Sequence, residues 1–339
     1  WQIFEGGIMG VALGVVLGSV MQLIVSAVGL VGLGFDYEFK LHWRNRGFRK
    51  VLSLLPARSV DQGMDYAVSL VEVNLASRLG DGVIRAYQQA LTLHMMPINL
   101  IGVAVSNAAF PQLTEHLGNN RQDLFQKDLR QLLRVIIWMA LPVSVITFFT
   151  RGYVVHFIRN TGDPMMAGIL GCLVVAILFR TIYHMAARAF YAQQDTKTPL
   201  NISFAAIGLN VVLAIVLSMV LKMGAYGLAW AQSTVAVIEV VILFVVLEKR
   251  IPHLFDASFV AAVLRMIVAS TVAGIVCYLM LQVLPFRESD SSFFSAFPKF
   301  MIIAGVSFLA YGVMSRMLKL PEVEPIIRQV NKFLFVRLD

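Results

Sequence analysis

Charge is scarce in this chain. Only 14% of its 339 residues are charged, against about a quarter in soluble domains, and that shortage excludes an ordinary water-facing globule. Cysteine is rarer still. Cys172 and Cys277 lie far apart in apolar stretches and read as buried thiols rather than a disulfide or a metal site. The six histidines are scattered without ligand spacing. The period-two alternation of barrel strands is missing, as are a Walker loop and a Ser/His/Asp constellation. Asp61-x-x-x-Asp65 lacks the second acidic pair that a metal-dependent phosphotransferase would need. There is no pore loop and no repeated charged ring of the kind an ion channel shows.

What is present is apolar length. Hydrophobic residues make up 58% of the chain and mean hydropathy is +0.75. Nine stretches of about 20 residues or more are each long enough to cross about 30 Å of hydrocarbon. They fall at 6–33, 57–78, 83–114, 132–154, 166–190, 199–221, 226–248, 266–285 and 300–318. The fold class expected is therefore an all-α polytopic membrane protein with nine predicted transmembrane helices.

The net charge of +8 follows topology and not nucleic-acid binding. Most Lys and Arg residues lie in one alternating set of connections. Lys40, Arg44, Arg46, Arg49 and Lys50 fall between spans 1 and 2. Arg121, Lys127, Arg130 and Arg134 are expected in the connection before span 4, and Arg316, Lys319, Arg328, Lys332 and Arg337 in the tail. The positive-inside bias makes that side cytoplasmic, together with the C-terminus. Nine spans then leave Trp1 outside, so an odd number of upstream helices is expected, and the chain reads as a C-terminal fragment.

Residues 35–56 form a basic cytoplasmic linker, in which Phe39 and Trp43 among cations suit an interfacial strap. Span 1 carries Gly6, Gly10, Gly14 and Gly18 at four-residue spacing, a ridge for close helix approach. Pro97 predicts a kink around residues 93–97. Pro199 is expected at the first position of span 6 behind a Thr198 cap. Residues 252–265 are expected to approach span 8 along the interface. Residues 319–339 should form an amphipathic cytoplasmic tail, with Ile326, Ile327, Val330, Phe333 and Leu334 on one face.

Three polar groupings interrupt the spans. Arg58, Asp61, Asp65, Ser69 and Glu72 fall within roughly 80° of one another on a helix. An ionisable group at mid-bilayer costs roughly 2.5–3.5 kcal/mol on insertion scales, so these need either salt-bridged packing or an internal wet cavity. In span 3, Arg85, Gln88, Gln89 and Thr92 share a face, with His94 well off it. That face suits cavity lining or interhelical hydrogen bonding. In span 5, Arg180, His184 and Arg188 follow at four-residue spacing. Arg188 suits snorkelling, while Arg180 lies too deep for that. Glu239 is a lone acid in span 7, available to pair with one of these cations.

Three segments resemble the MurJ/MviN family of lipid II flippases, within the multidrug/oligosaccharidyl-lipid/polysaccharide exporter superfamily. They are Ala76-Ser-Arg-Leu-Gly-Asp-Gly82 followed by the run from Pro97 to Leu113; Ala187-Arg-Ala-Phe-Tyr-Ala-Gln-Gln-Asp-Thr-Lys-Thr-Pro199; and Gly14-x-x-x-Gly18-x-x-x-Gln22-Leu23. The resemblance implies the C-terminal part of a fourteen-helix, two-lobe MATE-like flippase. Residues 1–34 would be the last helix of the N-terminal lobe, 57–250 a six-helix C-terminal lobe and 251–318 a two-helix unit forming the groove for the lipid tail. The implied activity is flipping of the lipid-linked peptidoglycan precursor across the bacterial cytoplasmic (inner) membrane by alternating access. The alternative is export of another polyprenyl-linked glycan, or of a cation or drug, within the same superfamily.

The implied partners are a polyprenyl-diphosphate-linked glycopeptide, the bilayer and the missing N-terminal helices. No enzymatic step and no cofactor is implied; a monovalent cation, a proton or the membrane potential would drive transport, and the residues do not separate these. The candidate cavity or substrate residues are Arg58, Asp61, Asp65, Glu72, Arg85, Gln89, Thr92, Arg180 and His184. The family's Ala-Asp-Arg-Leu run falls on Ala90 to Leu93, so Thr92 stands where the family has arginine. Arg85, on the same face about 10.5 Å away along the axis, is expected to replace it in part, with the main diphosphate grip in the missing helices.

Overall fold

The computed structural model describes residues 8–28, 48, 49, 52, 68–80, 82–157, 163–285 and 293–324. Among them there is no strand. The chain divides into two compact units, 1–59 and 60–339. The first contains helix α1 (Ile8–Val28). The second contains α2 (Val68–Ser77), α3 (Val83–Gly118), α4 (Gln122–His156), α5 (Pro164–Ala192), α6 (Lys197–Val220), α7 (Ala225–Arg250), α8 (Ala257–Val283) and α9 (Phe293–Met317). Seven helices, α3 to α9, are long and apolar enough to cross a membrane. The predicted spans 6–33 and 57–78 extend past the described residues, and α1 and α2 are their described portions.

Several helices outrun their apolar windows. α4 begins at Gln122, so Lys127, Arg130 and Arg134 lie on a helix and not in a connection. Its first turns are amphipathic: Phe125, Leu129 and Leu133 are buried at four-residue spacing, a pattern that hydropathy averaging hides. α8 likewise begins at Ala257, where the Asp256 carboxylate accepts from Phe259 N at 2.8 Å. Most of the segment expected to run along the interface is thus already helical. Of the amphipathic tail, only its start is described, a short 3₁₀ turn at Pro321–Val323; residues 325–339 lie outside the described set.

α5 is the central helix, packed against α3, α4 and α7. Its buried residues include Ile169, Leu173, Ile177, Met185 and Phe190. Ser233 of α7 donates to Cys172 O at 2.6 Å, a short side chain that lets the two backbones approach. On the other flank, Tyr311 of α9 donates to Trp138 O at 2.8 Å and Trp138 Nε1 donates to Ser315 Oγ at 3.2 Å. Arg134 pairs with Glu322 at 2.5 Å, and Arg130 pairs with Asp256 at 3.0 Å. These contacts fasten α4 to α8, α9 and the turn beyond α9.

Pro97 leaves its mark one turn later than expected. Residues Ile98–Val103, directly after the proline, form a π-helical turn. Gly102 in that turn lies against α5, where a Cβ would stand 2.9 Å from Thr181 Cα. A second π turn, Val216–Val220, ends α6. There Gly227 of α7 meets backbone, and a Cβ would lie 2.6 Å from the Leu217 carbonyl carbon.

The corner between α5 and α6 is built by the Gln193–Thr198 segment. Gln194 has φ 60°, and Asp195 N and Gln194 N donate to Phe190 O and Tyr191 O, each at 3.0 Å. This is a Schellman closure of α5. Asp195 then caps α6 by accepting from Lys197 N and Thr198 N, each at 3.0 Å. The expected Thr198 cap is therefore corrected to Asp195, with Pro199 in the first helical turn, where it has no need of an N–H. Thr198 Oγ1 also donates to Asp195 at 2.6 Å, and Arg250 pairs with it at 2.6 Å. Desolvation alone would raise this carboxyl, but the Thr198 bonds and the Arg250 guanidinium outweigh it and hold it at about 2.

The two glycine environments give a direct test. Gly227→Ala forces a methyl into backbone and should destabilise the protein by about 1–3 kcal/mol. Gly208→Ala enters open space and should be neutral or stabilise by up to about 1 kcal/mol. Thermal unfolding in detergent checks the pair, and equal melting temperatures would refute the close approach.

Candidate functional site

Two hydrogen-bonded polar knots and an open polar face stand out in the second unit. The first knot centres on Glu72, which is 3% exposed. Its Oε2 accepts from Tyr87 OH at 3.0 Å, and its Oε1 accepts from Asn210 Nδ2 at 3.1 Å and Gln232 Nε2 at 2.8 Å. One carboxylate thus joins α2, α3, α6 and α7. Unpaired, such a group would be costly in a low-dielectric interior, so it holds the donors that surround it. The structure places Glu72 inside the bundle and not on an open wall. Ser69, on the same side of α2 by sequence, is exposed; Arg58, Asp61 and Asp65 lie outside the described residues.

The second knot joins α5, α6 and α7. Arg180 Nη1 donates to Glu239 Oε2 at 2.8 Å, and Ser203 Oγ donates to Glu239 Oε1 at 3.0 Å. Tyr183 OH lies 3.0 Å from Ser203 Oγ. The carboxylate is sealed, with side-chain exposures of 29% for Arg180 and 1% for Glu239. Glu239 is therefore the packing partner that the deep Arg180 required. His184 lies apart from this pair, its ring edge-on to Tyr183 and beside the Gly102 turn. Arg188 donates to Asn107 at 2.5 Å and lies over the Phe110 and Tyr191 rings.

The open face is on α3. Gly82, Ile84, Arg85, Gln88, Gln89 and Thr92 line a concavity of about 530 Å³. Four of them are the face expected from helical spacing, and the structure brings them together. The opposite side of the same turns, Ala86, Tyr87 and Ala90, is almost fully buried, which fixes the rotation of the helix. Arg85 is exposed and forms no ion pair among the described residues. Thr92 bonds its own helix at Gln88 O, 3.0 Å away, and Gln89 Oε1 is buried without a partner. The face offers a cation and amide groups whose hydrogen-bonding capacity is not consumed inside the lobe. Among the described residues no cluster of His, Cys, Asp or Glu could hold a metal ion.

Tyr87, Asn210, Gln232 and Ser203 escaped the sequence reading. Each is a single polar residue on its own helix, and no spacing within one segment links it to the acid it serves.

A family model described as lipid II flippase MurJ matches residues 2–297. The chain belongs to the MurJ family. A probable lipid II flippase MurJ from Thermotoga maritima is 24% identical over 330 residues, covering 96% of this chain and 63% of that protein. A lipid II flippase MurJ from Burkholderia cenocepacia is 26% identical over 254 residues, covering 72% of this chain and 49% of that protein. A solved lipid II flippase MurJ in an inward closed conformation matches with a TM-score of 0.69 at 22% identity, over 92% of this chain and 62% of that one. That likeness shows the fold, a multi-pass helical membrane protein. The chain spans less than two thirds of the length of these MurJ relatives.

The Glu72 knot yields a double-mutant test. Gln232→Leu removes one donor and should cost about 0.6–2 kcal/mol in a lipid-embedded setting. The same change in a Glu72→Gln background should cost measurably less, with a coupling of about 0.5–3 kcal/mol. Additive melting shifts in detergent would show that the bond contributes nothing.

Proposed function

We propose that the protein containing this chain flips a polyprenyl-diphosphate-linked peptidoglycan precursor between membrane leaflets, and that this chain supplies one wall of the path. The observation that carries the reading is the open α3 face. A concavity lined by Arg85, Gln88, Gln89 and Thr92, beside a bundle whose deep acids Glu72 and Glu239 are both bonded internally, suits a hydrated anionic headgroup passing through hydrocarbon. Family membership supplies the substrate class. No bond of the substrate is made or broken in this scheme. The wall replaces water around sugar and phosphate while two lobes rock about it.

Under the same proposal, α8 and α9 form the groove for the polyprenyl tail, the C-terminus is cytoplasmic and the membrane is the bacterial inner membrane. The drive is a monovalent cation, a proton or the membrane potential, and Asp61 and Asp65, predicted on the 57–78 helix, are the groups that would sense it. Export of another polyprenyl-linked glycan uses the same wall, and substrate competition separates it from the first reading.

Arg85 is the test residue. In the full-length protein, Arg85→Ala should lower the flipping rate of a lipid-linked precursor by about 10-fold, the equivalent of one charge-assisted contact of about 1.4 kcal/mol. Arg85→Lys should retain most of the activity, and both should melt like the parent protein. A parental rate for Arg85→Ala would remove this face from the path.

A further inference from the structure

A second concavity, of about 480 Å³, shares no lining residue with the α3 face. Phe148 and Arg151 of α4, Gly168, Gly171, Cys172, Val174 and Val175 of α5, and Tyr226 and Trp230 of α7 line it. We infer that this groove docks one anionic glycerophospholipid, its phosphate on the Arg151 guanidinium and an acyl chain along Val174 and Val175 of α5.

Construction of the groove supports this. Gly168 and Gly171 stand one turn apart on α5. A Cβ on Gly168 would lie 2.6 Å from Tyr226 Cε1, and one on Gly171 would lie 3.2 Å from Arg151 Cδ. The glycines therefore let an aromatic ring and an arginine stem lie flat against α5. The surroundings are apolar: Phe148 is 42%, Tyr226 40% and Trp230 41% exposed, leaving large ring faces uncovered by protein.

The charge is the second element. Arg151 Nη1 donates to Phe148 O at 2.6 Å, and its guanidinium lies 4.7 Å from the Phe148 ring centroid. Most of its donor fork stays unused. Arg130, Arg134, Arg180 and Arg250 each have a carboxylate partner, whereas Arg151 has none among the described residues. Depth agrees as well. Arg151 stands five residues before the end of α4 at His156, about 7.5 Å along the axis. Tyr226 and Trp230 occupy the first turns of α7, at the level where aromatic residues meet headgroups. An unpaired fork at that depth, above an apolar slot, matches a phosphate with a hydrocarbon chain beneath it.

The full-length protein tests this by native mass spectrometry from mixed micelles holding equal phosphatidylglycerol and phosphatidylethanolamine. The parent should retain phosphatidylglycerol over phosphatidylethanolamine by at least about fivefold; no preference would overturn the proposal without any variant. Arg151→Gln should abolish the preference, while Arg151→Lys should keep most of it. Val175→Trp leaves the charge and fills the slot, and should lower phosphatidylglycerol retention about as much as Arg151→Gln. Retention unchanged by Val175→Trp would mean that Arg151 merely reaches the bulk headgroup layer, and unchanged by Arg151→Gln that the guanidinium is not the anchor. Either result refutes the site.

Discussion

A carboxylate buried in a helix bundle must find its donors within the protein, and Glu72 finds three. Tyr87, Asn210 and Gln232 reach it from three different helices, so α2, α3, α6 and α7 share one electrostatic centre. Apolar packing between helices differs little from packing against lipid tails. Directional bonds of this kind therefore fix rotation and register. With Tyr87 turned inward towards Glu72, the Arg85, Gln88 and Gln89 side of α3 has to face away from the bundle. The inner knot and the outer concavity are two consequences of one helix rotation.

The Arg180–Glu239 pair performs the same service between α5 and α7, and the Asp195–Arg250 pair does so at the end of the bundle. These are charges with a structural destination. Arg85 and Arg151 lack one among the described residues, and both border concavities. Paired charges hold helices together, and these two cations are left open to the concavities they border. Glycines act alongside it: Gly102 and Gly227 bring backbones into contact at the two π turns, where the regular helical ladder is already broken.

The sequence revealed some of this and concealed the rest for physical reasons. Apolar length located the long helices, and helical spacing grouped Arg85, Gln88, Gln89 and Thr92 correctly. Hydropathy windows placed the starts of α4 and α8 about ten residues late, because amphipathic first turns average to polar. The same periodicity that found the α3 face put Glu72 on a polar stripe without saying that the stripe turns inward at that point. Its partners are lone residues on distant helices, and only the fold relates them. The Asp195 corner was visible as a motif, but the choice of Asp195 over Thr198 as cap depended on backbone geometry.

One side of α3 is open and polar, while the other is sealed by the Glu72 knot. Single cysteines at 85, 86, 88, 89, 90 and 92 in the full-length protein, probed with a water-soluble thiol reagent added to both sides of the membrane, measure this contrast directly. Rapid labelling is expected at 85, 88, 89 and 92, with protection at 86 and 90. Added lipid-linked precursor should slow the reactive set alone. Uniform labelling, or reactivity on the 86 and 90 side, would contradict this arrangement.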